Sequence, residues 1–247
     1  MQDTGQIEGS RMVAWCDVLG FSSASASNSK SAAWIHRQFH RAIWHSIFHS
    51  SPTKEVITPA CLKSQDKVGV ATFADTALFY ALDDEDESCR VVLEIIAWLL
   101  FDTIHVPWGH TRAGVAYGEV LVDEAAGLYV GEAFTAAYCL EQEQDWAGGA
   151  LAKTAERRLA AVAEPIGSLW YVIKYEVPLK RGKQLMLAVD WTRGIHSRNF
   201  SLEWSKNQEE PSSKDWIEDA GKARKWYYTK KFHDDVCVSC PCERKVA

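Results

Sequence analysis

Short apolar runs alternate with longer helical segments over residues 1–190, and their order restricts the possible folds. The runs at 12–18, 67–73 and 77–82 are rich in β-branched or aromatic residues, which is typical of strands. Segments 32–48 and 87–104 repeat apolar residues at helical spacing. The order of strand, helix, two strands, helix and strand predicts an α+β, ferredoxin-like fold, with an antiparallel central sheet and helices on one face.

The rest of the chain extends this pattern and suggests a domain boundary. Further strand or helix patterns lie at 110–122, 132–145, 152–162, 169–175 and 184–189. The first of these fits one strand or two, because Gly114 and Gly118 interrupt it. Beyond Asp190 the sequence is rich in Trp, Lys and Ser and has no regular period. We therefore predict a domain over residues 1–190 and an extension over 191–247, which either belongs to that domain or forms an appendage.

The charge and composition argue against several classes of protein. The net charge is −6 and the pI about 5.8, whereas proteins that bind a nucleic-acid backbone usually present a basic face. No apolar run reaches the ~20 residues of a membrane span, and the polar N-terminal segment has no signal-peptide core. Seven scattered cysteines, an odd number, do not indicate a disulfide framework. We expect a cytoplasmic protein that binds neither nucleic acid nor membrane.

Two aspartates, Asp17 and Asp75, each lie beside an apolar run that we assign to a strand. Neighbouring antiparallel strands can bring two such carboxylates close together, and they then repel one another unless cations lie between them. Mg²⁺ and Mn²⁺ bind carboxylate oxygens and keep open positions for phosphate. The spacing alone favours two ordinary turn aspartates, and the flanking residues reverse this preference.

Four short motifs occur in a fixed order over residues 12–145. They are Asp17-Val-Leu-Gly-Phe-Ser22, Phe73-Ala-Asp75-Thr76, Arg112-Ala-Gly-Val-Ala-Tyr-Gly118-Glu119 and Gly131-Glu-Ala-Phe-Thr-Ala-Ala137-Tyr138. In this order they resemble the two metal motifs, the following strand and the last dimer-facing helix of class III adenylate and guanylate cyclases. The resemblance implies a nucleotidyl cyclase fold and a catalytic domain over residues 1–190.

The resemblance also implies roles for individual residues. Asp17 and Asp75 would bind two divalent cations, Mn²⁺ or Mg²⁺, and the backbone carbonyl of Val18 would help to bind the second. Arg112 would contact a phosphate or serve a structural role, with an ion pair at a sheet edge as the alternative. The turn beside the triphosphate would consist of Leu19, Gly20, Phe21 and Ser22, whose amides can bind anions.

Several family residues are missing from this sequence. Ala71 replaces a lysine and Leu128 replaces a second residue with which purine cyclases bind their base. Thr135 and Cys139 replace an asparagine and the arginine that stabilises the transition state. Because cysteine cannot stabilise phosphate charge as a guanidinium does, Arg112 is the first candidate to compensate, and the other possibility is a slow or inactive enzyme.

The loss of both purine contacts resembles the pyrimidine cyclases of bacterial Pycsar anti-phage systems. This resemblance implies UTP or CTP as substrate, cyclic UMP or CMP and pyrophosphate as products, and a head-to-tail homodimer with active sites at its interface. UTP is favoured by the distribution within that family alone. A purine cyclase with relocated base contacts and a catalytically silent module that binds a nucleotide remain alternatives.

A basic run follows near the end of the chain. It consists of Lys222, Arg224, Lys225, Lys230 and Lys231. Such a run usually forms a solvated patch, but it could also hold a triphosphate from a neighbouring subunit.

Overall fold

The computed structural model describes residues 6–50, 67–104, 110–162, 171–192 and 220–237. The N-terminal half contains β1 (Gln6–Val18), α1 (Phe21–Ser27), α2 (Ser29–Ser50), β2 (Val68–Phe73), β3 (Thr76–Ala81) and α3 (Asp86–Ile104). The C-terminal half contains β4 (Thr111–Asp123), β5 (Leu128–Val130), α4 (Glu132–Glu143), β6 (Gly148–Leu151), α5 (Lys153–Ala160), β7 (Val172–Leu179), β8 (Gly182–Val189) and α6 (Ala220–Cys237). None of these helices is both long and apolar enough to span a membrane.

The strands form one sheet in the order β2-β3-β1-β4-β6-β8-β7, and β5 pairs with β4 at one end. β1 is central because it pairs antiparallel with β3 on one side and with β4 on the other. β4 and β6 run parallel, and the other named pairs are antiparallel. The predicted α+β class with a mostly antiparallel sheet is therefore confirmed.

Helices cover both faces of this sheet, and not one face only as the sequence predicts. Along β1, Met12 and Ala14 pack in the core formed with α2 and α3. Val13, between them, packs on the opposite face with Phe134 and Ala137 of α4. Because both faces of β1 are covered in its second half, residues 12–16 form an unbroken apolar run rather than an alternating pattern.

The structure extends or corrects several element predictions. The segment at 110–122 is one continuous strand, since β4 pairs with β1 through Gly114 and Gly118 without interruption. The short elements α1 and β6 do not stand out in the sequence, and α6 lies where no regular period is visible. The side chain of Lys222 and the segment 191–219, apart from Trp191 and Thr192, lie outside the described part.

The C-terminal helix α6 packs onto the main domain. Phe232 is fully buried, and its ring contacts those of Trp146, Tyr175 and Trp191 at centroid distances of 5.0, 4.8 and 5.8 Å. The buried hydroxyl of Thr229 lies 2.9 Å from both the amide and the carbonyl of Ala147. These contacts attach α6 to the segment that leads from α4 into β6.

Candidate active site

The two predicted metal aspartates lie next to each other at one end of the sheet. Asp17, the penultimate residue of β1, is opposite Thr76 of β3 and Arg112 of β4. Asp75 occupies the turn between β2 and β3, and its carbonyl accepts a hydrogen bond of 3.1 Å from the amide of Val18. Strand pairing, rather than proximity in sequence, therefore brings the two residues together.

The acidity of Asp17 is strongly perturbed. Burial, the nearby carboxylate of Glu141 and the carboxylate of Asp75 raise its pKa to about 7, against the opposing effects of Arg112 and a hydrogen bond with Thr76. A carboxyl group in this position carries a proton near neutral pH, and a bound cation would favour its ionised form instead.

This environment fits hard divalent cations. Two neighbouring carboxylates, of which Asp75 raises the pKa of Asp17, supply the oxygen ligands that Mg²⁺ and Mn²⁺ prefer. Among the described residues, no group of three or more His, Cys, Asp or Glu side chains could hold a metal ion. A cation held by Asp17 and Asp75 therefore needs further ligands from backbone, water or substrate, as is usual where Mg²⁺ is bound with phosphates.

The turn after β1 has the geometry of a sharp strand-to-helix connection. Gly20 has a φ of 87°, a left-handed conformation that glycine adopts without strain, and α1 begins at Phe21. Gly20 and Ser22 are exposed, whereas Phe21 packs partly against the core. The amide of Leu19 donates to the carbonyl of His110 at 2.8 Å, so it is already engaged within the protein.

The hairpin tip that carries Asp75 is attached to α2. Ala74 has a φ of 53°, which is unfavourable for a residue with a Cβ atom. The Nδ1 atom of His36 lies 2.5 Å from the Ala74 carbonyl oxygen, and the ring of His36 lies 4.4 Å from that of His40. The sequence gives no indication that His36 holds this turn.

Arg112 lies in a buried ion pair. Its guanidinium bonds to the carboxylate of Glu141 through Nε and Nη2, and its Nη1 donates to the carbonyl of Gln144 at 2.9 Å. Glu141 is fully buried, and Arg112 is almost so. Arg112 thus forms an ion pair, which is the structural role that the sequence left open for it. Arg112 lies on the central strand β4, however, and not at a sheet edge.

The positions that differ from purine cyclases surround the hairpin and α4. Ala71 is buried, whereas Leu128 and Thr135 are exposed. Cys139 is an exposed free thiol on α4. Exposed aromatic side chains lie nearby: Tyr138 contacts Trp15 at a ring-centroid distance of 5.1 Å, and Phe73 contacts Tyr129 at 5.9 Å.

No protein-family model matches the chain, and no curated protein matches it. Its structural neighbours include a bacterial light-regulated adenylyl cyclase, with 14% identity over 78% of this chain and a TM-score of 0.45. This chain spans 58% of that cyclase. An adenylate cyclase from Trypanosoma brucei aligns with 78% of this chain and 94% of its own, at 11% identity and a TM-score of 0.48.

The catalytic core of a rhodopsin-guanylyl cyclase aligns with 74% of this chain and 96% of its own, at 18% identity and a TM-score of 0.43. The structural neighbours are thus adenylyl and guanylyl cyclases. Because their identities and TM-scores are low, they assign no function to this chain, and a functional argument has to rest on its own residues.

Sequence reasoning misses the partners of the predicted site residues. Glu141 perturbs Asp17 and binds Arg112, and Gln144 accepts from Arg112 while its Nε2 donates to the Ala113 carbonyl at 2.8 Å. These contacts join α4 to β4 over about 30 positions of sequence. Glu141, on an otherwise apolar face of the predicted helix, was the signal in the sequence for such a contact, because a buried carboxylate requires a cationic partner.

Proposed function

We propose that the chain is a metal-dependent nucleotidyl cyclase that converts UTP to 3′,5′-cyclic UMP and pyrophosphate. The observation that supports this most directly is the convergence of Asp17 and Asp75 at adjoining strand ends, where burial and like charge raise the pKa of Asp17 to about 7. A binding module with no catalytic role has no need of two clustered carboxylates in a cation-binding environment.

In the proposed reaction, the ribose 3′-hydroxyl gives up its proton to solvent or to the substrate, its oxygen attacks the α-phosphorus, and the bond to the oxygen that bridges to the β-phosphorus breaks. Two divalent cations would lower the pKa of the 3′-hydroxyl and offset charge on the phosphates. Asp17 and Asp75 would hold those cations, with the Val18 carbonyl as a further ligand. The exposed turn at Gly20 and Ser22 would lie beside the phosphates, with Leu19 and Phe21 fixing its position.

Arg112 is the predicted compensation for the arginine missing at Cys139. A phosphate contact by Arg112 would have to compete with Glu141, which holds two donor atoms of the guanidinium. Arg112 also stabilises the ionised form of Asp17. We therefore propose that Arg112 acts at least through the charge of Asp17, and its phosphate contact stays a prediction.

The choice of UTP rests on the sequence. Ala71 and Leu128 offer no polar side chain where purine cyclases hydrogen-bond their base, and a site without those groups does not favour a purine. The resemblance to the pyrimidine cyclases of anti-phage systems supports UTP and a signalling role in defence, with CTP as the alternative.

A homodimer is part of the proposal. Phe73, Val130 and Tyr138 are each more than 40% exposed, on the hairpin, β5 and α4. Large apolar side chains grouped near a site favour coverage by a partner, and the resemblance implies a second copy of the chain. Both active sites would then lie at the interface.

The decisive experiment incubates the protein with Mn²⁺ and each of the four nucleoside triphosphates and identifies products by mass spectrometry. We expect cyclic UMP from UTP. Cyclic CMP or a cyclic purine nucleotide as the main product would correct the substrate, and binding of nucleotide without any product would favour the silent module that Cys139 suggests.

A matched pair of variants tests the role of the carboxylates. Asp75→Ala should abolish turnover and leave the fold intact, because Asp75 lies in a turn and its contact with Val18 uses only the backbone. Glu85→Ala removes an exposed carboxylate before α3 and should keep wild-type activity. Wild-type turnover of UTP by Asp75→Ala would refute the metal assignment.

A further inference from the structure

The C-terminal helix α6 lies beside the strand ends that form the candidate site. The ring of Trp226 contacts that of His110 at a centroid distance of 4.9 Å. His110 directly precedes β4 and accepts the hydrogen bond from the Leu19 amide at the end of β1. One turn of α6 is therefore adjacent to the segment in which Asp17 and Arg112 are paired.

An ion pair holds this turn of α6 in position. The guanidinium of Arg224 bonds to both carboxylate oxygens of Asp145, at 2.6 Å from Nε and 3.1 Å from Nη2. Asp145 is buried and lies two residues beyond the end of α4. A bidentate pair of this kind fixes orientation as well as distance, so the residue after Arg224 also has a defined position.

That next residue, Lys225, lacks a carboxylate partner. Its side chain is half-buried, and no carboxylate of the described residues lies within ion-pair distance of its ammonium group. Burial, followed by the nearby charge of Arg112, lowers the pKa of Lys225, and Lys180 and Arg224 act in the same direction. Asp145 opposes these effects, but its oxygens already bind Arg224.

The charges in this region are unbalanced. Three cationic side chains, those of Arg112, Lys180 and Arg224, act on the ammonium of Lys225, against one carboxylate, that of Asp145, which already binds Arg224. A local excess of positive charge in a chain of net charge −6 favours binding of an anion.

We propose that Lys225, supplied by the C-terminal helix of the same chain, binds the polyphosphate group of the nucleotide. This inference rests on the proposed function. Lys225 would supply, from the same chain, the positive charge that Cys139 of α4 cannot. Lysine suits the role because its ammonium is a mobile point charge that can follow the phosphates as pyrophosphate separates. Lys225 has only its charge to contribute, since every covalent change remains within the nucleotide.

The binding test uses the full chain and inorganic pyrophosphate, titrated calorimetrically into metal-free protein so that cations contribute nothing. Lys225→Gln keeps most of the side-chain length and removes the charge. We expect it to weaken pyrophosphate binding about tenfold or more, as is typical for loss of a charge-assisted hydrogen bond. Lys230→Gln, at an exposed position of the same helix, should bind as the wild type does, and Lys225→Arg should largely restore binding.

Equal pyrophosphate affinities for the wild type and Lys225→Gln would overturn the proposal, and so would an absence of binding by the wild type. Thermal unfolding of each variant checks that α6 remains packed. In steady-state kinetics, we expect Lys225→Gln to raise the KM for UTP about tenfold or more while the Mn²⁺ concentration needed for half-maximal activity is unchanged.

The same experiments separate this proposal from the proposed function. If no triphosphate is cyclised but pyrophosphate binding depends on Lys225, the cyclase is refuted and the anion site stands. If UTP is cyclised with the same KM by the wild type and Lys225→Gln, the cyclase stands and the role of Lys225 is refuted.

Discussion

The metal-free fold disfavours the ionised form of Asp17. Its pKa in the folded protein is about 7, raised by burial, by Glu141 and by Asp75, whereas an aspartate in an unfolded chain titrates near pH ~4. The folded state therefore holds a proton more tightly than the unfolded state does. Asp17 does not lower the free energy of unfolding below pH ~4. Above that pH its ionisation lowers the free energy of unfolding progressively, until the pH has risen through about 7.

Asp17→Asn should stabilise the metal-free protein in a pH-dependent way. Because the amide is never ionised, we expect the free energy of unfolding to rise by about 4 kcal/mol at pH 8, the equivalent of about 3 pKa units, and to change little near pH 4. Urea denaturation in the presence of a chelator measures both values. Asp123→Asn, at a partly exposed position where hydrogen bonds from Gln6 and the Ala126 amide lower the pKa, should bring no gain at pH 8. A loss of stability in Asp17→Asn at pH 8 would show that Asp17 is not buried as a strained charge.

Glycine at position 114 allows α4 to pack closely on the sheet. A Cβ atom at Gly114 of β4 would lie 2.1 Å from the backbone oxygen of Ala137 and 2.7 Å from the amide of Glu141. Both atoms belong to the backbone of α4, so they cannot move aside as a flexible side chain does. The close approach of α4 in turn brings Glu141 to Arg112.

Gly114→Ala should therefore displace α4 and lower the free energy of unfolding by about 2–3 kcal/mol, the usual cost of overpacking. Chemical denaturation measures the loss, and the activity towards UTP should fall with it because Glu141 and Arg112 shift. Gly127→Ala is the comparison, since its Cβ would meet nothing within 4 Å and only its φ of 65° is unfavourable. That variant should lose about 1 kcal/mol. Equal losses in the two variants would contradict the steric argument.

The elements up to residue 190 could largely be predicted from sequence, because strand and helix periods are strong there. Sequence motifs also predict a metal site at Asp17 and Asp75, and the structure places these two residues at adjoining strand ends. The pair of Arg112 with Glu141 could not be predicted, since it depends on how closely α4 approaches β4. The helix α6 escaped prediction because its sequence is mostly polar and its buried residues, Phe232 among them, are set by contacts with distant segments.

The packing of α6 determines whether the C-terminal extension is an appendage or part of the main domain. We expect Phe232→Ala to lower the free energy of unfolding by about 3–5 kcal/mol, because the ring is fully buried among three aromatic side chains. Tyr227→Ala removes an exposed ring from the same helix and should cost less than about 0.5 kcal/mol.

Thermal unfolding followed by both calorimetry and aromatic circular dichroism distinguishes the two arrangements. A single transition that moves to lower temperature in Phe232→Ala places the extension in the main domain. A separate early transition, with the main one unmoved, identifies an appendage.

The last turn of α4 receives cations from two directions. Glu141 binds Arg112 of β4, and two residues beyond the helix Asp145 binds Arg224 of α6. The outward side of the same helix presents Tyr138 and Cys139. A molecule that binds to this outward side and rotates α4 would therefore shift both ion pairs. Any such rotation changes the electrostatics of Asp17 and the placement of Lys225 together.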